Sequence, residues 1–273
     1  MRLFKTICIV VVACGVAIYY YLSSLPPGFD HRLHVDFLNI GQGDSTLIQT
    51  RSGERILIDG GMGTAVIREL QEVMPQGERA IDLVIATHGD KDHIEGLQAV
   101  INRYTVKTLY ASALKGNTLG VGLLKKARAR GTQIIFADEH SDVRFQDGST
   151  LDILYPFQKQ ITAENANDYS IVARYDSGEQ SFLFTGDLPS HIEELLIARR
   201  APLDVDVLKV GHHGSKFSTS KDFLTHVTPE LATISVGKKN TYGHPDPGVL
   251  ARLKQAGSKI MRTDLAGRIS LTY

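Results

Sequence analysis

The stretch that most constrains this chain is DLVIATHGDKDHI at residues 82–94. There an apolar strand runs straight into His88-Gly89-Asp90-Lys91-Asp92-His93, and a helix opens at Ile94. A loop at the carboxyl end of a strand is where α/β sheets put their sites: the strand fixes one end and polar side chains converge in a crevice. Four ligand-type residues within six positions can therefore point at one small volume. With 10 His and 19 Asp in 273 residues, H-x-D-x-D-H arises by chance in roughly two chains per thousand. The competing reading is a polar helix cap in which Asp92 accepts backbone N–H bonds. The two cysteines, Cys8 and Cys14, lie in the first fifteen residues. The body thus has no disulfide and no thiolate ligand, and metal ligands there must be His, Asp or Asn.

Around this unit, strands alternate with helices. HVDFLNI, STLIQ and RILIDGG read as strands, AVIRELQEVM as a helix, DLVIATH as a strand, HIEGLQAVINRY as a helix, then KTLYAS, a helix over GLLKKARARG, and TQIIFA. Three antiparallel strands are expected at VRFQDG, TLDILYP and SIVARYD. A second series then runs from SFLFTGD through SHIEELLIARR, DVLKVG, KDFLTHV, LATISVG and PGVLARLKQAG to KIMRT. Two such series joined by antiparallel strands predict two sheets face to face with helices outside, a four-layer αββα sandwich. Thirty Lys plus Arg balance thirty Asp plus Glu. No net field draws this chain onto nucleic acid, which argues against a charge-driven coat, and a polyanion would have to be held by a local site.

Residues 7–22, ICIVVVACGVAIYYYL, are uncharged and apolar, preceded by Arg2 and Lys5 and closed by three tyrosines. The expected organisation is a signal anchor at 1–24, a stiff linker at 25–30 around Pro26-Pro27, and one body over 31–273. The positive-inside rule then puts the body outside the cytoplasm, held to the membrane by the N-terminal helix. A cleaved signal peptide (a secreted product) and a lipoprotein signal ending at Cys14 are the alternatives.

H-x-D-x-D-H resembles the H-x-H-x-D-H signature of the metallo-β-lactamase fold superfamily. It is most similar to the variant in the extracellular hydrolase domain of ComEC-type competence proteins. FLNIGQGDSTLI at 37–48, LIDGG at 57–61, FLFTGD at 182–187, LKVGHHGS at 208–215 and SVGKKNTYGHP at 235–245 extend the resemblance over residues 34–273. It implies an α/β (α+β) fold, the four-layer αββα metallo-β-lactamase sandwich, with two divalent metal ions, here preceded by the one N-terminal membrane helix read from residues 7–22. His88 and Asp90 would hold a first ion and Asp92 and His93 a second. Asp187 would bridge them, and one of His212 and His213 would complete the second site. Neighbours on an extended chain point to opposite sides, so both can face one ion only if the backbone turns there. His213 is taken as ligand and His212 as donor to a substrate oxygen, and Asp59 would orient a ligand or simply form an Asp-Gly turn.

The histidine that usually precedes the GD strand is missing. The matching stretch is Asn165-Ala166-Asn167-Asp168, and Asn167 or Asp168 would substitute through oxygen. One imidazole among oxygen donors favours manganese over zinc. His244, in Tyr242-Gly243-His244-Pro245, sits in a tight turn and joins Asp92 and His212 as a catalytic candidate. Lys216, Lys238 and Lys239 share the same loops and either neutralise phosphate or are merely solvated. The run Lys125, Lys126, Arg128, Arg130 reads as the wet face of a helix. These features imply a metal-dependent hydrolase of phosphodiesters, in its sharpest form a nuclease acting on DNA. The same machinery acting on another ester (a phosphocholine, a wall polymer or a lactone) and a non-catalytic accessory module of DNA uptake are the alternatives.

Overall fold

The computed structural model describes residues 30–112, 117–157 and 165–273. The expected anchor at 7–22 lies outside them, and among the described residues no helix is long and apolar enough to cross a membrane.

Among the described residues, fourteen strands form two seven-stranded sheets. The first contains β1 (His34–Phe37), β2 (Thr46–Gln49), β3 (Arg55–Ile58), β4 (Ala80–Ala86), β5 (Thr105–Ala111), β6 (Gln133–Phe136) and β14 (Ile269–Thr272), in the order β14-β1-β2-β3-β4-β5-β6. The second contains β7 (Val143–Arg144), β8 (Thr150–Tyr155), β9 (Val172–Asp176), β10 (Ser181–Phe184), β11 (Val207–Lys209), β12 (Leu231–Ile234) and β13 (Lys259–Arg262), in the order β13-β12-β11-β10-β9-β8-β7. Each sheet is half antiparallel and half parallel: β3 through β6 run parallel in one, β10 through β13 in the other.

The period-2 alternation of strand side chains builds the layers. Ile56, Ile58, Leu83, Ile85, Phe182 and Phe184 point between the sheets into one shared core. Their neighbours Leu57, Val84 and Leu183 point outward, under helices. On the first sheet those helices are α1 (Ala65–Val73), α2 (Lys91–Arg103) and α3 (Thr118–Ala129). On the second they are α4 (Ser190–Ala198), α5 (Lys221–Val227) and α6 (Pro247–Gln255), which seal Leu183 and Leu208 with Ile192, Leu196, Phe223, Val249 and Leu253. A strand covered on both faces is apolar where it is covered, which is why LVIA at 83–86 and FLF at 182–184 read as unbroken runs. Helix α3 buries Leu123 and Ala127 and leaves Lys125 and Arg128 exposed, with Arg130 exposed just past its end, while Lys126 is half-buried and donates to Gln98 Oε1 at 3.4 Å.

Two features depart from the sequence reading. VRFQDG keeps only two residues of strand, because Phe145, Gly148 and Ser149 close a tight turn by backbone hydrogen bonds. The C-terminal residues, not assigned from sequence, form the short helix α7 (Thr263–Ala266) and then β14, which pairs antiparallel with β1 from Phe37↔Ile269 to His34↔Thr272. RISLTY has no long apolar run, and its pairing partner lies more than two hundred residues earlier.

Candidate metal centre

The chemistry-bearing loops leave the carboxyl ends of β3, β4, β10, β11 and β12, so both sheets contribute to one crevice. Asp59 ends β3 in a left-handed conformation with φ +57° and is fully buried. Its Oδ1 accepts from the Thr87 backbone N–H at 2.9 Å. Its Oδ2 accepts from the Thr87 hydroxyl at 2.7 Å and from His93 Nδ1 at 2.7 Å. A carboxylate only accepts, so in the neutral His93 ring the proton sits on Nδ1 and Nε2 keeps its lone pair. With its own proton committed to Asp59, the Thr87 oxygen accepts from His88 Nδ1 at 3.1 Å, which frees His88 Nε2 in the same way. His213 Nδ1 donates to the Ser235 carbonyl at 2.9 Å, and its Nε2 is the third free ring nitrogen.

These three nitrogens, Asp187 Oδ1 and Asn167 Oδ1 are all buried without a hydrogen-bond partner among the described residues. Buried polar atoms are normally satisfied, so five unpartnered ligand atoms in one crevice point to a species that fills it. Ligand atoms of His88, His93 and Asp187 lie within 4.8 Å of one another, and so do those of Asp92, His93 and His213. Asp187 sits between, with Oδ1 3.2 Å from His93 Nε2 and Oδ2 3.6 Å from the Nε2 atoms of both His212 and His213. Asp92 Oδ2 is 3.2 Å from His213 Nε2. Asp90, half-exposed, holds Oδ2 3.6 Å from His88 Nε2, at the solvent side of the same group.

The turn required for both neighbouring histidines is present. His212 (φ +49°), His213 (φ +54°) and Gly214 (φ +81°) form a left-handed turn closed by Ser215 N–H donating to the His212 carbonyl at 2.8 Å. Left-handed backbone costs about 1–2 kcal/mol for each non-glycine residue, and the result is that both imidazoles face Asp187. Of the two oxygen candidates before the GD strand, Asn167 turns inward, its Nδ2 3.4 Å from His212 Nδ1. Asp168 turns away to His191, 3.2 Å off. His244 is half-buried beside His212, ring centroids 5.7 Å apart.

Two residues without an assigned role in the sequence reading are built into the floor. Lys209 and Asp44, both buried, form an ion pair, and Asp44 Oδ1 lies 3.2 Å from His213 Nδ1. The signal was a lysine inside the apolar strand DVLKVG, which cannot be buried unpaired. Gly43 (φ +118°) lets the GQGD turn rest on the metal loop, since a Cβ there would lie 2.0 Å from the Asp92 carbonyl oxygen.

Burial alone would push His93 toward its neutral form, but Asp187 and Asp59 outweigh it and hold its pKa well above the usual imidazole value. His213 is buried too, and Asp187 and Asp44 carry its pKa up to about 10. Burial also opposes ionisation of Asp92 and Asp187, yet neighbouring imidazoles hold both carboxyls well below the ordinary range. His212 and His244 are pushed down, chiefly by burial. The centre is thus a cluster of carboxylates that demands cations. Protons on His93 and His213 meet that demand in the ion-free chain, and divalent ions would displace them.

Comparison with known proteins agrees with this geometry. Residues 38–238 match the Metallo-beta-lactamase superfamily. The ComE operon protein 3 of Bacillus subtilis is 31% identical over 272 residues, covering 93% of this chain and 34% of that protein. Competence protein ComA of Neisseria gonorrhoeae is 32% identical over 231 residues, covering 84% of this chain and 30% of that protein. The chain thus spans about a third of the length of these relatives. Among solved structures, the metallo-beta-lactamase fold protein YhfI of Bacillus subtilis superposes with a TM-score of 0.59 at 13% identity, covering 88% of this chain and all of that one. Zn(2+)-bound PqqB from Methylobacterium extorquens superposes with a TM-score of 0.55 at 14% identity, covering 84% of this chain and 87% of that one. Both are similar in fold.

Proposed function

The chain belongs to the metallo-beta-lactamase superfamily, and from that premise we propose that it is a two-metal phosphodiesterase, with DNA among its substrates. The observation that carries this reading is the convergence of three unpartnered imidazole nitrogens on the two oxygens of Asp187. The donor set suits two divalent ions: His88, Asp90, Asn167 and Asp187 on one side, Asp92, His93, His213 and Asp187 on the other. On the first side oxygen donors outnumber the single imidazole, which favours manganese over zinc. Two such ions, when bound, supply the Lewis acidity that activates water near neutral pH and stabilises a leaving oxygen.

The chain's own residues divide the remaining work. Asp59 and Thr87 orient His93 and His88, and Ser235 orients His213. Asn167 Nδ2 donates to His212 Nδ1, which leaves the proton of a neutral His212 on Nε2. His212 is therefore a hydrogen-bond donor toward substrate oxygen, whereas His213, with the opposite tautomer, is a ligand. The lowered pKa of His212 keeps the ring neutral at pH 7. Asp92, at the crevice edge, stays ionised and would orient the attacking water by accepting a hydrogen bond from it, and His244 lies where it can stabilise the departing oxygen.

Similarity to competence proteins favours a polynucleotide over a phosphocholine, wall polymer or lactone, and the body is proposed to work outside the cytoplasm, tethered by residues 7–22. The test is to strip the full chain, reload it with manganese or zinc, and assay bis-nitrophenyl phosphate, single-stranded DNA and a lactone. About two ions per chain and phosphodiester hydrolysis, faster with manganese, are expected. Ion content near zero under both conditions, or lactone as the sole substrate, would overturn the reading.

A further inference from the structure

One loop beside the crevice carries an aromatic side chain that the fold leaves in water. Tyr242 is 69% exposed. It is not a free flap, because one face lies nearly parallel to the His244 imidazole, with an interplanar angle of 18° and centroids 5.9 Å apart. The His244 ring is 5.7 Å from that of His212, and His212 Nε2 is 3.6 Å from Asp187. Tyr242 is thus two ring-to-ring steps from the centre of the metal cluster, with its other face open.

The backbone that presents it is held firmly. Asn240 Oδ1 accepts from the His244 N–H at 3.0 Å, and Asn240 Nδ2 donates to the His244 carbonyl at 2.8 Å, closing the loop around Tyr242. The next residues lock onto the histidine turn through Asp246 N–H donating to the Gly214 carbonyl at 2.8 Å. The same rim is cationic. Lys238 and Lys239 precede Tyr242 in its loop, both exposed, and exposed Lys216 leaves the histidine turn with its ammonium over the Phe217 ring at 5.0 Å. The histidine turn and the Tyr242 loop thus carry three exposed lysines as well as the exposed ring.

We infer that Tyr242 is a base-stacking platform, which holds one unpaired nucleobase of a single strand while a phosphate further along that strand lies at the metal cluster. The inference rests on the phosphodiesterase reading and adds a specificity-determining residue to it. Lysines alone would serve any polyanion, including a wall polymer. An open aromatic face next to them serves a strand whose bases are splayed, because bases in a duplex already cover one another. His244 flanks the ring at an offset, nearly parallel to it, and the two Asn240 hydrogen bonds to His244 fix the backbone that presents it.

The experiment compares a single-stranded oligodeoxynucleotide with an abasic strand of equal length and phosphate number. Both are cleaved by the manganese-loaded full chain carrying Tyr242, Tyr242→Phe or Tyr242→Ala. The native protein should have a KM about ten-fold lower for the base-bearing strand. Tyr242→Phe should keep that ratio and Tyr242→Ala should bring it toward one. A ratio of one in the native protein, or an undiminished ratio in Tyr242→Ala, overturns the platform and leaves the phosphodiesterase reading intact. Failure of the native protein to bind or cleave either strand while hydrolysing another ester overturns both.

Discussion

Asp187 and Lys209 show how much of the centre depends on single side chains. Asp187 offers one oxygen to His93 and the other to His212 and His213, so Asp187→Ala should empty both halves of the site together. Hydrolysis should fall by more than the ~10–100-fold that follows loss of a residue that only orients a ligand. Elemental analysis of the folded variant checks this, and two ions retained per chain would mean that the bridge lies elsewhere. Lys209 acts through its charge and through a hydrogen bond from Nζ to the Gly186 carbonyl at 3.3 Å. With Asp44 buried at its side, its ammonium balances a carboxylate that water cannot reach. Lys209→Met should destabilise the chain by about 3–5 kcal/mol by stranding that carboxylate, and adding Asp44→Asn should recover most of the loss. Urea denaturation of the single and double variants measures both, and a single variant as stable as native would show that Asp44 is balanced by other groups.

The elements that matter most are the turns. Two consecutive non-glycine residues in the left-handed region, His212 and His213, are strained, and what they achieve is to aim two adjacent imidazoles at one carboxylate. The GQGD turn depends on Gly43 in the opposite sense, through the absence of a side chain. Gly43→Ala would bring a Cβ against the Asp92 carbonyl and force φ +118° on an alanine, so the turn must lift off the metal loop. Loss of more than ~1 kcal/mol of stability is expected, together with weakened binding of the ion beside Asp92. Calorimetry and a metal titration read the two effects separately. Retained stability would mean that the turn adapts without cost.

At the scale of the whole molecule, the charged cluster sets how stability varies with pH. In the ion-free chain the pKa of His213 is raised from 6.5 to about 10. Its contribution is complete below about pH 6.5 and is lost as pH climbs toward 10. Asp92 and Asp187 have depressed values. Their contribution is present above the ordinary carboxylate range and is lost as pH falls through the depressed values. Stripped protein should therefore be most stable in mildly acidic solution and weaken from neutral to alkaline pH. Ion affinity should rise over the same alkaline interval, because binding releases protons from the imidazoles. Thermal unfolding across pH with chelator or with manganese tests the pair of trends, and a stripped protein that gains stability between pH 7 and 10 would contradict the charge balance described for His213.

The sequence by itself determined what is written in consecutive residues. Short apolar runs such as LVIA, bounded by turn residues, read as strands covered on both faces, and the alternation of strand and helix specified two sheets with helices outside. HGDKDH brings its ligands together because they straddle a strand-to-helix junction, His88 and Asp90 on the connection and Asp92 and His93 in the first turn of α2, which opens at Lys91, three residues before the Ile94 expected from sequence. Tertiary structure decided whatever depends on direction or on distant partners. His212 and His213 are distinguished by Asn167 and Ser235, and Asn167 from Asp168 by which of them faces inward. Asp44 finds Lys209 across 165 residues, and β14 finds β1 from the opposite end of the body. Periodicity specifies which face a residue takes within its own element. Which neighbour it meets there is set by how the layers stack, and that is a property of the chain as a whole.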